Sequence, residues 1–174
     1  DAIALLDGYD RENASHLNAN VAKGIKARVA LTQQNWALAA QMAAEARDGY
    51  PLMSEADYMA GFNDYRNDEW LWGVHQQADQ QTFFYSFFAY LSCNFNSTNI
   101  RGNPKAINSD LYDLIQETDV RKRLWDPTGA NKDFPIPDHQ ASVRKPYMNR
   151  KFHTSAPDLS IGDVPLMRAS EMYL

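Results

Sequence analysis

Residues 20–52 read NVAKGIKARVALTQQNWALAAQMAAEARDGYPL, and this stretch decides the fold. It predicts two antiparallel helices joined by a short polar turn. Asn18 or Asn20 can accept the first free amides of the first helix, and Asn35 those of the second. On the first helix Val21, Ile25 and Val29 recur four apart with Ala22 beside them, while Lys23, Lys26 and Gln33 fall on another face. The second helix is predicted over residues 36–47. Its stripe of Trp36, Ala39, Ala40, Ala43 and Ala46 has one large residue among small ones. Gly49 just past the last turn is a stop, and Pro51 forbids resumption. Facing alanines let two backbones approach closely, and the linker Gln33, Gln34, Asn35 is short enough to force antiparallel neighbours.

The pair resembles one tetratricopeptide-type unit. Ala27, Ala39 and Ala46 sit where such a repeat packs closely, Trp36 opens the second helix, and Pro51 follows it. Lys23, Lys26 and Ala30 stand where the repeat usually has bulky apolar residues. One such unit cannot bury both of its faces, so it expects neighbours.

The chain has 174 residues, the size of one ordinary domain. Its net charge is −5 with both signs interspersed, which argues against nucleic acid as a partner. The one basic run, Arg121, Lys122 and Arg123, reads as a solvated face. A single cysteine, Cys93, excludes an internal disulfide framework and a multi-cysteine metal site; it reads as a small buried apolar residue. No apolar run approaches the roughly 18 residues of a spanning helix. Aromatics make up 12% of the chain and crowd between residues 58 and 90.

Working outward, residues 1–9 carry a short helical pattern through Ala2, Leu5, Leu6 and Tyr9, which Gly8 and Asn13 break. Ser54 can cap a turn of helix over 55–59. Residues 53–107 form an aromatic-rich loop region. Within it Trp70, Trp72 and Val74 alternate with Leu71 and Gly73 as in a strand, which needs a partner. Residues 80–93 place Phe84, Phe87, Phe88 and Leu91 on one helical face. Asn108 or Ser109 caps a helix over 110–118 with Leu111, Leu114 and Ile115 inward. Residues 126–162 are proline-punctuated, with short strands expected near Val143 and over 147–152. Residues 163–174 read as the start of a further helix, capped by Asp163, with Pro165 in its first turn.

Three segments, in this order, resemble the SusD/RagB family of bacterial outer-membrane nutrient-binding lipoproteins. They are IKARVALTQQNWALAAQMAAEARDGYPLM; the helix closed by Asp119 and Arg121; and Arg150-Lys-Phe followed by DVPLMRASEMYL with Arg168 and Glu171. The resemblance implies a mainly α fold, a stack of tetratricopeptide-like helical hairpins (an α/α superhelix) with long irregular loops and minor β. It implies that residues 1–174 are an incomplete single domain of a longer SusD-like protein, with residues 18–52 as its hairpin. It further implies non-catalytic binding of a nutrient glycan or oligosaccharide at the cell surface. A SusC-like TonB-dependent outer-membrane transporter would be the partner, and a lipid anchor outside these residues the membrane attachment. The competing reading is a helical-repeat module that grips a protein or peptide and binds no sugar.

Sugar rings present apolar faces and a rim of hydroxyls, so their sites need flat aromatics beside polar groups. Trp70 and Trp72 share a side if their segment is extended, although core packing against the hairpin is the favoured reading for both. Tyr85 and Tyr90 with Asn94, Asn96 and Arg101 are the better surface candidates, whereas Phe84, Phe87, Phe88 and Trp125 read as core. Trp36 is scaffold, Asp119 with Arg121 a turn-capping pair, and Arg168 with Glu171 a structural ion pair within one helix. The four histidines have no metal-ligand spacing, and no phosphate loop, nucleophile elbow or Cys–His pattern is present. No metal, cofactor or catalytic residue is therefore assigned, and an unrecognised hydrolase is the remote third class.

Overall fold

The computed structural model describes residues 1–82, 85–95, 97–130, 145–156 and 160–174. The helices are α1 (Ala2–Leu5), α2 (Ala19–Thr32), α3 (Trp36–Ala46), α4 (Glu55–Met59), α5 (Phe87–Leu91), α6 (Thr98–Gly102) and α7 (Ser109–Leu114). The strands are β1 (Trp70–Val74), β2 (Trp125–Asp126), β3 (Met148–Asn149) and β4 (Val164–Arg168). The protein is mainly α with minor β. Two compact units emerge. The first comprises Asp1–Ser54, Tyr65–His75 and Val164–Leu174; the second, Glu55–Asp64 and Gln76–Asp163.

The first unit is built on the hairpin α2–α3. Asn18 Oδ1 accepts from Val21 N at 3.0 Å, and Asn35 Oδ1 caps α3 through Leu38 N. Asn20 Nδ2 donates to the carbonyls of Ala46 (2.9 Å) and Asp48 (3.0 Å), tying the start of α2 to the open end of α3. Gly49 then turns the chain at φ +80°. The buried face of α2 is Val21, Gly24, Ala27 and Ala30, against Ala39, Met42 and Ala46 of α3. The expected stripe of Val21, Ile25 and Val29 is therefore corrected, since Ile25 and Val29 are exposed. Close helix packing selects the face with the smallest side chains over the most apolar one. Gly24 shows the constraint, because a Cβ there would collide with the Met167 side chain.

The partner that β1 required is β4, antiparallel, with Trp70 opposite Arg168 and Val74 opposite Val164. This corrects the helix expected over 163–174. Those residues form β4 and then a 3₁₀ turn, Ala169–Tyr173. Val164, Pro165, Leu166 and Met167 satisfy a helical start locally, but β1 offers a hydrogen-bonding edge that a lone helix would waste. Register shifts on either side of Trp72 break the strict alternation of β1. Leu71, Met167, Ala169 and Met172 join Val21 and Ala46 in the core, with Trp72 packed against them.

The same change separates Arg168 from Glu171. Arg168 pairs with the buried Glu69 (3.3 Å), while both Glu171 oxygens engage Arg28, at 2.7 Å from Nε and 2.6 Å from Nη2. The second contact holds the Arg28 guanidinium above its ordinary pKa, chiefly through that hydrogen bond. The expected pair within one helix is thus replaced by two ties across the unit. Glu69 is 2% exposed and also accepts from Met53 N (2.8 Å) and Ser170 N (3.3 Å), fixing the loop after α3 and the turn after β4.

In the second unit, β2 pairs antiparallel with β3, Trp125 opposite Asn149 and Asp126 opposite Met148. Arg150 N continues the ladder by donating to Leu124 O at 2.8 Å. Cys93, Ile100 and Met148 form one small core. Edge-to-face rings form another, running from Tyr58 through Phe62 and Phe152 to Phe87 and Phe88. Lys151 lays its ammonium 4.5 Å from the Phe62 ring centre and 5.5 Å from that of Phe152. The helix expected over 80–93 is reduced to α5, and Phe83 and Phe84 lie outside the described residues, as does Val143. α7 stops at Leu114 because Ile115 is extended, and Leu111 and Leu114 point outward rather than inward.

Candidate ligand-binding cleft

The second unit carries a cleft of about 420 Å³, within the range of small-ligand sites. One wall comes from the 3₁₀ helix Val120–Leu124, which supplies Lys122 and Arg123. Asp119 caps that helix through Arg121 N (2.9 Å), and the Arg121 side chain closes on the same carboxylate at 2.6 Å. These hydrogen bonds from Arg121 hold the Asp119 carboxyl down at about 2. β2 follows directly and adds Trp125 and Asp126; the chain after β3 adds Arg150 and His153; α7 adds Tyr112 and α4 Met59.

Most of these side chains are held by named partners. Asp126 Oδ1 accepts from Thr128 N (2.9 Å) and Thr128 Oγ1 (2.7 Å), an Asx turn that the sequence Asp-Pro-Thr-Gly favours. Lys122 Nζ donates to Ile115 O (2.9 Å) and Glu117 (2.6 Å) and lies 4.9 Å from the Tyr112 ring centre. Arg123 is paired with Glu55. Tyr112 meets the edge of Tyr147 at 5.4 Å, and Tyr147 is held at φ 57°, a conformation uncommon for a side-chain-bearing residue. On the opposite wall His153 N donates to Gly61 O at 2.9 Å, and His153 Nε2 lies 3.0 Å from Arg150 O. A carbonyl there requires an Nε2 proton, so the ring is the Nε2–H tautomer. Burial, with the Arg150 charge adding to it, brings the His153 pKa down to about 4. Gly61, at φ +114°, is needed for this approach, since a Cβ would lie 2.8 Å from the His153 ring.

The arrangement combines a half-buried indole, a phenol and alternating cations and carboxylates. It can stack a flat apolar face and exchange hydrogen bonds in both directions with its rim. The first unit has two further concavities of different character. One, of about 560 Å³, is walled mostly by apolar side chains, Leu31, Trp36 and the alanines of α3, and its charged groups are engaged with neighbours, Arg28 with Glu171 and Arg47 over the Tyr173 ring. The other, of about 710 Å³, has Tyr50 engaged by Arg11 and Asn18, and its Trp70 is buried.

The chain matches the crystal structure of a SusD-like carbohydrate binding protein from Bacteroides vulgatus ATCC 8482. The TM-score is 0.75 at 26% identity, over 99% of this chain and 35% of that one. The chain is SusD-like. A SusD superfamily protein from Bacteroides thetaiotaomicron VPI-5482 shares the fold, with TM-score 0.59 and 17% identity over 98% of this chain and 39% of that one. The SusD-like chain thus spans little more than a third of the length of either structure. No family model matches it, and neither does any curated protein.

The aromatic candidates of this SusD-like chain separate on inspection. Trp70 is 2% exposed and its ring edge covers Gly73, while Trp72 packs on the first unit's core, so neither is a surface platform. Asn94 is buried, its amide oxygen accepting from Thr154 N (2.7 Å) and its nitrogen donating to Thr154 O (3.3 Å). It is a structural clasp, which corrects its candidacy. Asn96 lies outside the described residues. Tyr85 and Tyr90 are exposed, as is Arg101 on α6. Trp36, read as scaffold, is 62% exposed on the apolar groove of the first unit. Trp125, read as core, is a half-buried wall of the cleft. The one sequence signal for the cleft was the Trp-Asp-Pro-Thr-Gly turn at residues 125–129, whose Asx chemistry fixes a carboxylate beside an indole.

Proposed function

We propose that this chain belongs to a non-catalytic cell-surface protein that binds a nutrient glycan or oligosaccharide and delivers it to a SusC-like TonB-dependent transporter. The observation that carries the reading is the likeness over nearly the whole chain to a protein described as carbohydrate binding. The cleft supplies the chemistry, with Trp125 as the stacking surface and Asp126, Arg150 and Lys122 as partners for hydroxyls. Tyr85 and Tyr90, with Arg101, are further contacts for a longer glycan. In such a protein the site binds without bond breaking, so pre-organisation sets the affinity. The protein would stand on the outer membrane through a lipid anchor.

The test is calorimetry against a panel of plant and host oligosaccharides, with Trp125→Ala and Tyr85→Ala/Tyr90→Ala variants. Trp125→Ala should weaken binding about tenfold, the loss of roughly 1–2 kcal/mol of ring contact. Unchanged affinity in both variants, or no saccharide bound by the parent, would sink the assignment. The alternative, a helical-repeat module for a protein partner, draws on the exposed Trp36 and Leu31 along the apolar groove.

A further inference from the structure

We infer that Tyr147, which does not itself line the cleft, is a positioning residue for it: its backbone and ring set where Tyr112 of α7 stands relative to Trp125 of β2. This rests on the glycan-binding reading and deepens it, by naming what holds two rings of that site in place.

Lys145, Pro146, Tyr147 and Met148 form a β-turn, closed by Met148 N donating to Lys145 O at 3.2 Å. Pro146 fixes a negative φ at the second position. Tyr147 follows at φ 57°, so the turn is type II, whose third position favours glycine or asparagine. A tyrosine there strains the backbone, because its Cβ crowds the chain in the left-handed region. Such strain persists only where the surrounding structure over-determines it, and it clusters at functional sites.

The contacts that hold Tyr147 reach both sides of the cleft. Tyr147 N donates to Asp126 O at 2.6 Å, and Tyr147 O accepts from Ile107 N at 3.0 Å. Asp126 follows Trp125 in β2. Ile107 precedes Asn108, whose side chain caps α7 through Asp110 N (2.8 Å) and whose carbonyl accepts from Tyr112 N (2.9 Å). One residue therefore clamps the strand that carries the indole and the start of the helix that carries the phenol. Glycine would make both backbone bonds without strain, so what the tyrosine adds is its ring. That ring meets Tyr112 edge to face, with centroids 5.4 Å apart and planes at 70°, a geometry aromatic pairs prefer. Tyr112 and Trp125 line the cleft half-buried, so each keeps ring surface open to solvent. Without the Tyr147 edge the Tyr112 side chain gains rotamer freedom, which a bound ligand must restrict again.

Calorimetry on the whole protein tests this with oligosaccharides from starch, cellulose, β-mannan and arabinogalactan as probes. Tyr147→Gly suits the turn and removes the ring. It should weaken the best-bound probe about fivefold. Its urea midpoint should stay close to the parent's, because relief of strain offsets the lost ring contact. Tyr147→Asn, which also tolerates a positive φ, is the second variant and should behave alike. Tyr147→Phe keeps the ring and should bind within about twofold of the parent. On a Tyr112→Ala background Tyr147→Gly should weaken binding no further, since it acts through that ring. A purely structural role would lower stability and leave the two substitutions additive. Full affinity in folded Tyr147→Gly or Tyr147→Asn overturns the inference and leaves glycan binding intact. An undiminished loss on the Tyr112→Ala background overturns it as well. Failure of every probe to bind the parent overturns both readings.

Discussion

Glu69 is the residue whose removal should be felt most in the first unit. It is 2% exposed, accepts from the backbone amides of Met53 (2.8 Å) and Ser170 (3.3 Å), and pairs with Arg168 at 3.3 Å. Its own carbonyl accepts from Ala169 N at 2.9 Å, so one residue ties the loop after α3 to both β1 and the turn after β4. Glu69→Ala deletes a buried acceptor for two amides and an ionic partner for Arg168. Breaking one side of a buried pair costs about 3–5 kcal/mol, most of it the desolvation of what is left behind. Against a typical stability of about 5–15 kcal/mol that is about a fifth or more of the total. Glu69→Gln keeps one carbonyl oxygen but presents an amide nitrogen to a donor, so its cost is about 2–3 kcal/mol. Urea unfolding followed by tryptophan fluorescence reads this directly, since Trp70 and Trp72 flank the knot in β1. The order parent, Glu69→Gln, Glu69→Ala in midpoint, with an unchanged denaturant slope, is the expected result. Shifts below about 0.5 kcal/mol for both variants would mean that the knot contributes nothing, and the reasoning would be wrong.

Two further outcomes follow from titratable groups. His153 is half-buried and held neutral, with its pKa at about 4, below the unfolded value of about 6.5, so the unfolded chain takes up the proton first as pH falls. Stability from this site is complete above about pH 6.5 and declines toward pH 4, by on the order of 2–3 kcal/mol. The decline should flatten in His153→Gln when urea midpoints are compared across that window; parallel slopes for the two proteins would refute it. Cys93 is fully buried, and burial pushes its thiol up to about 12, so a disulfide exchange reagent should leave it untouched until denaturant is added. Immediate stoichiometric reaction in native buffer would contradict its place in the core.

Local chemistry was legible in the sequence wherever a structure is closed by neighbours in the chain. Asn18, Asn35 and Gly49 start and stop the hairpin in the way their side chains or backbone freedom demand. The Asp119–Arg121 pair spans two residues and needs no tertiary contact to form. The cleft was less visible. Trp125 and Arg150 carry no periodic signal, and they become neighbours only because β2 and β3 pair, so a scan for clustered aromatics favoured Tyr85 and Tyr90 instead and read Trp125 as core.

The sequence by itself determined the helical hairpin and its caps, because these rest on contacts a few residues apart. Tertiary structure alone decided which face of α2 is buried, for Gly24 and Ala27 win over Ile25 and Val29 only once α3 and Met167 come close. It also decided that residues 164–168 extend as a strand, since the unpaired edge of β1 is what satisfies their amides. Arg168 and Glu171, neighbours in the chain, then bind Glu69 and Arg28, and the partner of Glu171 lies 143 residues away. Charges pair with whatever the fold brings within hydrogen-bond reach, and spacing along the chain cannot report that when the backbone changes from strand to 3₁₀ turn between them.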